Sequence, residues 1–151
     1  QEGVVERFDK QEQLMARFNV KEGVKHGPEW VYYPSKTSTP NPKLYLEWYQ
    51  GNVNGICRSW YPNGVLESEK EVIDNHKHGI SSAWYLDHSL MFIEEYENDQ
   101  LRRGKYMKKG QEAPVSVVED GEGVVTLYDQ KGYFFKRISY KKGLPLDESE
   151  E

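Results

Sequence analysis

The chain has 151 residues, enough for one domain and too few for two independent cores. Apolar residues make up 36% and aromatics 13%, a balance that excludes a Leu- and Ala-rich helical bundle and suits twisted sheets with a thin core of rings. The net charge of −5 disfavours extended nucleic-acid binding, which needs net attraction to phosphates.

The sequence opens at Gln1-Glu2-Gly3, inside what reads as a repeat; a cleaved leader and a trimmed start would both give that beginning. No apolar run approaches the roughly 20 residues that span a bilayer, so no transmembrane segment is expected. Cys57 is alone and forms no intrachain disulfide. Charge is uneven along the chain: residues 1–101 hold 10 basic and 16 acidic side chains, residues 102–143 hold 10 and 5.

Repeats emerge when Gly3, Gly27, Gly55, Gly79 and Gly123 are placed in one column. Gly3 to Gly27 and Gly55 to Gly79 each span 24 residues; Gly27 to Gly55 spans 28, the excess falling in a Pro/Ser/Thr-rich insert at 34–42. Five positions after each glycine stands a ring: Phe8, Tyr32, Trp60, Trp84 and Tyr128. Next come Asp9, Tyr33, Tyr61, Tyr85 and Asp129. Eleven after the glycine are Leu14, Leu66, Leu90 and Phe134, with Leu44 taking this place in the second copy once the insert is allowed. Gly104 begins a degenerate copy with a turn at Lys108-Lys109-Gly110, followed by an irregular stretch at 111–122 in which Val115–Val118 can still form a strand.

Each copy reads as a β-hairpin. Ile56, Arg58 and Trp60 alternate with Cys57, Ser59 and Tyr61 on opposite faces. Pro62-Asn63-Gly64 supplies turn chemistry before a return strand from about Val65 to Ile73. Segments such as Gly51–Gly55 and Asn75–Gly79 lead into the next hairpin. A lone hairpin is marginal in water, so the copies must support one another, neighbour on neighbour. The expected fold is all-β: an elongated antiparallel sheet of tandem hairpins over 1–145, with an acidic disordered tail at 146–151.

The runs Tyr49-Gln50-Gly51-Asn52-Val53-Asn54-Gly55 and Trp60-Tyr61-Pro62-Asn63-Gly64-Val65-Leu66 resemble the MORN repeat variant of bacterial proteins. Lys25-His26-Gly27 and Lys77-His78-Gly79 look like that family's lysine-x-glycine connector, and Gly123–Tyr128 with Tyr140–Pro145 is similar to its terminal repeats. The resemblance covers about residues 3–145. It implies a mostly single-layer antiparallel sheet. Many bacterial members carry an antitoxin label, and eukaryotic members are linked to membrane lipids and to scaffolding.

The rings Phe8, Tyr32, Trp60, Trp84 and Tyr128 are expected to form a packed structural ladder. By alternation Tyr33, Tyr61 and Tyr85 lie on the opposite, wetter face and become candidates for binding a partner. Arg102, Arg103, Lys105, Lys108 and Lys109 form a basic cluster suited to an acidic partner or an anionic lipid surface. His76-x-His78 puts two imidazoles on one strand face, but further zinc ligands are not evident, so no metal and no cofactor are expected. Cys57 reads as a buried small hydrophobe, since nothing supplies an activating environment for its thiol. Glu69/Glu71 and Glu94/Glu95 read as strand decoration, and no nucleophile elbow or phosphate-cradling loop is present. The expected function is non-catalytic binding of a protein partner, as a scaffold or antitoxin-like module. Carbohydrate, cell-wall or peripheral membrane binding is the alternative, and self-association is also possible for open sheet edges.

Overall fold

A computed structural model describes residues 2–146 and contains fifteen antiparallel strands in hairpin succession, with no helix among them. Contacts divide the chain into two compact units, one ending at Asn75 and the other starting at His76. The first holds β1 (Gly3–Phe8), β2 (Leu14–Lys21), β3 (Val24–Lys25), β4 (Gly27–Tyr33), β5 (Asn41–Tyr49), β6 (Asn52–Val53), β7 (Gly55–Trp60) and β8 (Leu66–Ile73). Its order is β1-β2-β4-β5-β7-β8, with β3 against β2 and β6 against β5. The second holds β9 (His76–Trp84), β10 (Leu90–Glu97), β11 (Gln100–Met107), β12 (Pro114–Glu119), β13 (Glu122–Tyr128), β14 (Phe134–Lys141) and β15 (Leu144–Pro145), paired in sequence order. The irregular stretch 111–122 thus contains a strand. Asp147 onward, where the acidic tail was expected, lies outside the described residues; Leu146 belongs to the fold, its N–H donating to the Ser139 carbonyl.

The glycine column translates into pairing register. Phe8 faces Leu14, Trp60 faces Leu66, Trp84 faces Leu90 and Tyr128 faces Phe134; in the second copy Pro42, not Leu44, faces Tyr32. At or beside each of these pairs the register slips, so a bulge closes every hairpin at its ring. The residue after the ring then starts the turn. In four copies its N–H reaches the carbonyl four residues on and its carbonyl accepts the N–H three residues on: Asp9, Tyr61, Tyr85 and Asp129. The donor of that second bond sits at positive φ, as Glu12, Gly64, His88 and Gly132. Asp9 and Asp129 cap their own turns, each Oδ1 accepting two backbone N–H groups. Where a tyrosine occupies that place, Asn63 or Asp87 two positions later does the capping.

At the other hairpin ends stand two-residue turns with both residues at positive φ: Glu22-Gly23, Gln50-Gly51, Asp74-Asn75, Asn98-Asp99, Asp120-Gly121 and Lys142-Gly143. These turns hold one another. The N–H of Gly51 donates to Lys25, that of Asn75 to Val53, that of Asp99 to Lys77 and that of Gly143 to Gly121. Asn75 and Asp99 add a return bond, their Oδ1 accepting the N–H of Val53 and Lys77.

The covered face is the opposite of the one expected. Tyr61 is 2% and Tyr85 0% exposed, beside buried Cys57 and Ala83, whereas Phe8 is 58% exposed and Tyr32, Trp60, Trp84 and Tyr128 are half-buried. Alternation sorted these residues correctly into two sets, but Tyr61 and Tyr85 belong to the core and cannot present themselves to a partner. The reason is the phenol. Tyr33 donates to the Trp60 carbonyl at 2.6 Å and Tyr85 to the Met107 carbonyl at 2.7 Å, so each bridges to the following hairpin. Tyr33 itself is half-buried. The ladder rings share a register position; Trp60 also stacks on Trp30, and Tyr128 meets Tyr85 and Phe134.

Candidate interaction surface

Each unit buries a carboxylate that is held by hydrogen bonds. In the first, Glu29 accepts from Lys25 Nζ at 3.1 Å on both oxygens and from Trp48 Nε1 at 2.9 Å, while the ammonium lies 4.6 Å from the Phe18 ring. In the second, Glu94 accepts from Tyr106 at 2.5 Å and Tyr96 at 3.3 Å. Burial raises the Glu94 carboxyl above its ordinary range against these two donors and the nearby Lys77 charge. The Glu94 site sits over the cluster Tyr96, Leu101, Tyr106, Val118 and Val125. Composition signalled neither arrangement; Glu94 had read as surface decoration, and it is 8% exposed.

Cys57 is 3% exposed, and burial pushes its thiol pKa up, the reverse of nucleophile activation. His76 Nδ1 pairs with the Asp99 carboxylate rather than acting with His78. Among the described residues no three His, Cys, Asp or Glu side chains converge on a metal-sized site.

The predicted basic cluster divides. Arg103 Nε lies 3.6 Å from Glu95 and Arg102 Nε 3.7 Å from Glu97, so carboxylates of β10 offset both. Lys105, Lys108 and Lys109 are exposed. Lys109 lies against Gly132, where an added Cβ would sit 2.9 Å from the lysine Cβ. That contact joins the β11–β12 turn to the β13–β14 turn and to a feature the sequence reading missed. Tyr133 is 70%, Phe134 60% and Phe135 68% exposed, flanked by exposed Lys131, Lys136 and Arg137. In internal copies the positions of Tyr133 and Phe134 are covered: Val65 is 9% exposed, and Leu66 and Leu90 are half-buried. The signal in the sequence was three consecutive rings where the copies at Gln13–Met15, Val65–Glu67 and Ser89–Met91 carry two apolar residues and no ring. Compared with known proteins, the chain matches no family model, no curated sequence and no solved structure.

Proposed function

We propose that the chain is a non-catalytic β-repeat module, of the MORN-variant kind its repeats resemble, that binds a protein partner. The observation carrying this reading is the exposed run Tyr133-Phe134-Phe135, flanked by Lys131, Lys136 and Arg137, with Lys109 packed against the adjoining Gly132. Contiguous exposed rings are costly to leave in water and characteristic of recognition surfaces, where aromatics and arginine anchor binding. Capture from cell extract by the full chain and by a Phe134→Ser/Phe135→Ser variant tests it. A discrete protein retained by the first and lost by the second is expected; identical capture by both, or none at low and high salt, overturns the reading.

The same rings and cations also suit an anionic bilayer, where aromatics sit among headgroups and lysines meet acidic lipid. Cosedimentation with phosphatidylserine vesicles that disappears at high salt and in the double serine variant would favour that second reading.

A further inference from the structure

Resting on the protein-binding reading, we infer that the outer edge of β14 takes an acidic peptide in extended conformation, which adds to the sheet as a further strand. β13 occupies one side of β14 along its length, from Phe134 to Tyr140. The other side is paired at Tyr140 and Lys141 by β15, and the Ser139 carbonyl accepts from Leu146 at 2.8 Å. Hydrogen-bonding direction alternates along a strand. The N–H and C=O groups of Arg137, two residues before Ser139, therefore face the same side as β15. No described strand pairs with β14 there over residues 134–138. An unpaired row of amides and carbonyls is a template for strand addition.

Side chains select the occupant. Phe134, Phe135, Lys136 and Arg137 are all exposed, and beyond them Ile138, Tyr140 and Pro145 line a groove of about 430 Å3 along the same edge. Among the described residues neither Lys136 nor Arg137 is in an ion pair; the Arg137 guanidinium instead lies 5.8 Å from the Phe134 ring. Successive side chains alternate, so glutamates on one face of the incoming strand would meet Arg137 or, with the strand turned over, Lys136, while its apolar residues cover the opposite face. A second copy is a poorer occupant, because two β14 edges side by side bring Lys136 and Arg137 of both copies together. A bilayer is poorer as well, since lipid cannot continue a ladder of main-chain hydrogen bonds.

The test is fluorescence anisotropy of a short labelled peptide of alternating glutamate and valine against the full chain. Three comparison probes accompany it: the same peptide N-methylated on alternate amides, its lysine counterpart, and phosphatidylserine vesicles. Binding of the glutamate peptide is expected, weakened about tenfold or more by N-methylation. The Lys136→Glu/Arg137→Glu variant is expected to prefer the lysine peptide. Arg137→Pro removes one outward amide at an edge position that tolerates proline, and is expected to weaken binding with an unchanged melting temperature. Amide exchange at Arg137 should slow when peptide is bound.

Equal binding of the N-methylated peptide overturns strand addition whatever the variants do. So does vesicle binding that the peptide fails to displace, or a dimer that Arg137→Pro abolishes and peptide does not compete. No peptide binding, while a protein captured from extract still depends on Phe134 and Phe135, overturns the acidic strand and leaves the protein-binding reading standing. Loss of both overturns both.

Discussion

The phenol of Tyr85 donates to the carbonyl of Met107 at 2.7 Å, from a ring that is fully buried. Tyr85 starts the turn of one hairpin and Met107 ends a strand of the next, so one side chain joins two copies. Removing its hydroxyl leaves a buried carbonyl without that donor. Tyr85→Phe is expected to cost about 1–2 kcal/mol and Tyr85→Ala about 3–5 kcal/mol in denaturant unfolding. Phe8→Ala, at a ring 58% exposed, is expected to cost under about 1 kcal/mol. Equal losses at Tyr85 and Phe8 would contradict the assignment of the covered face.

Glu94 gives the fold a pH dependence of unusual sign. Burial raises its carboxyl in the folded chain, so folding favours the protonated form. The stability this confers is fully present below the unfolded value and is lost as pH rises through the raised folded value. Asp87 and Asp99 are shifted down, chiefly by bonds from Ser89 and His76, and act oppositely on acidification. Wild type should therefore lose stability relative to Glu94→Gln as pH climbs from the ordinary glutamate range toward neutrality. Melting curves of the two proteins across that window, if parallel, would rule this out.

Gly104 is the reason Tyr106 can reach Glu94. A Cβ at this position would collide with the Tyr106 hydroxyl and ring. Gly104→Ala is expected to destabilise by about 1–3 kcal/mol through overpacking. It should also reduce the pH dependence assigned to Glu94, because the tyrosine must move. A variant with wild-type stability and an unchanged pH profile would refute the contact.

Asn75 serves two ends at once. Its positive φ closes a turn, and its Oδ1 and N–H both bond to Val53. Asn75→Ala should cost about 1–2 kcal/mol from backbone strain and the lost side-chain bond together. Asn75→Gly relieves the strain and should recover part of that. Identical unfolding midpoints for the two variants would separate the turn from the clasp.

Much of the architecture could be read before any coordinates. The spacing from Gly55 to Trp60 to Leu66 became a strand, a bulge and a cross-strand pair, because glycine and ring positions are dictated by local backbone geometry. The covered face was not read, since alternation separates Trp60 from Tyr61 without saying which set the neighbouring hairpin covers. A clue was present. The position after the ring is tyrosine in Tyr33, Tyr61 and Tyr85 but aspartate in Asp9 and Asp129. Tyr33 and Tyr85 reach over to the following hairpin, whereas the aspartates cap their own turns. The exposed rings escaped notice because Tyr133 and Phe135 fall beside the aligned columns, while Phe134 stands in a column whose other members, Leu14, Leu66 and Leu90, are half-buried. Glu94 escaped because a charge in a strand usually faces water.

The mutual bonding of the connector turns bears on how such a chain changes length over generations. Asp74 and Asn98 are 24 residues apart, and Asn98, Asp120 and Lys142 follow at intervals of 22. Each turn grips the main chain of its predecessor, which every duplicate would carry whatever its side chains. Copying or excising one such block would regenerate the grip at the new junction. A lineage could therefore extend or shorten such a sheet gene segment by gene segment.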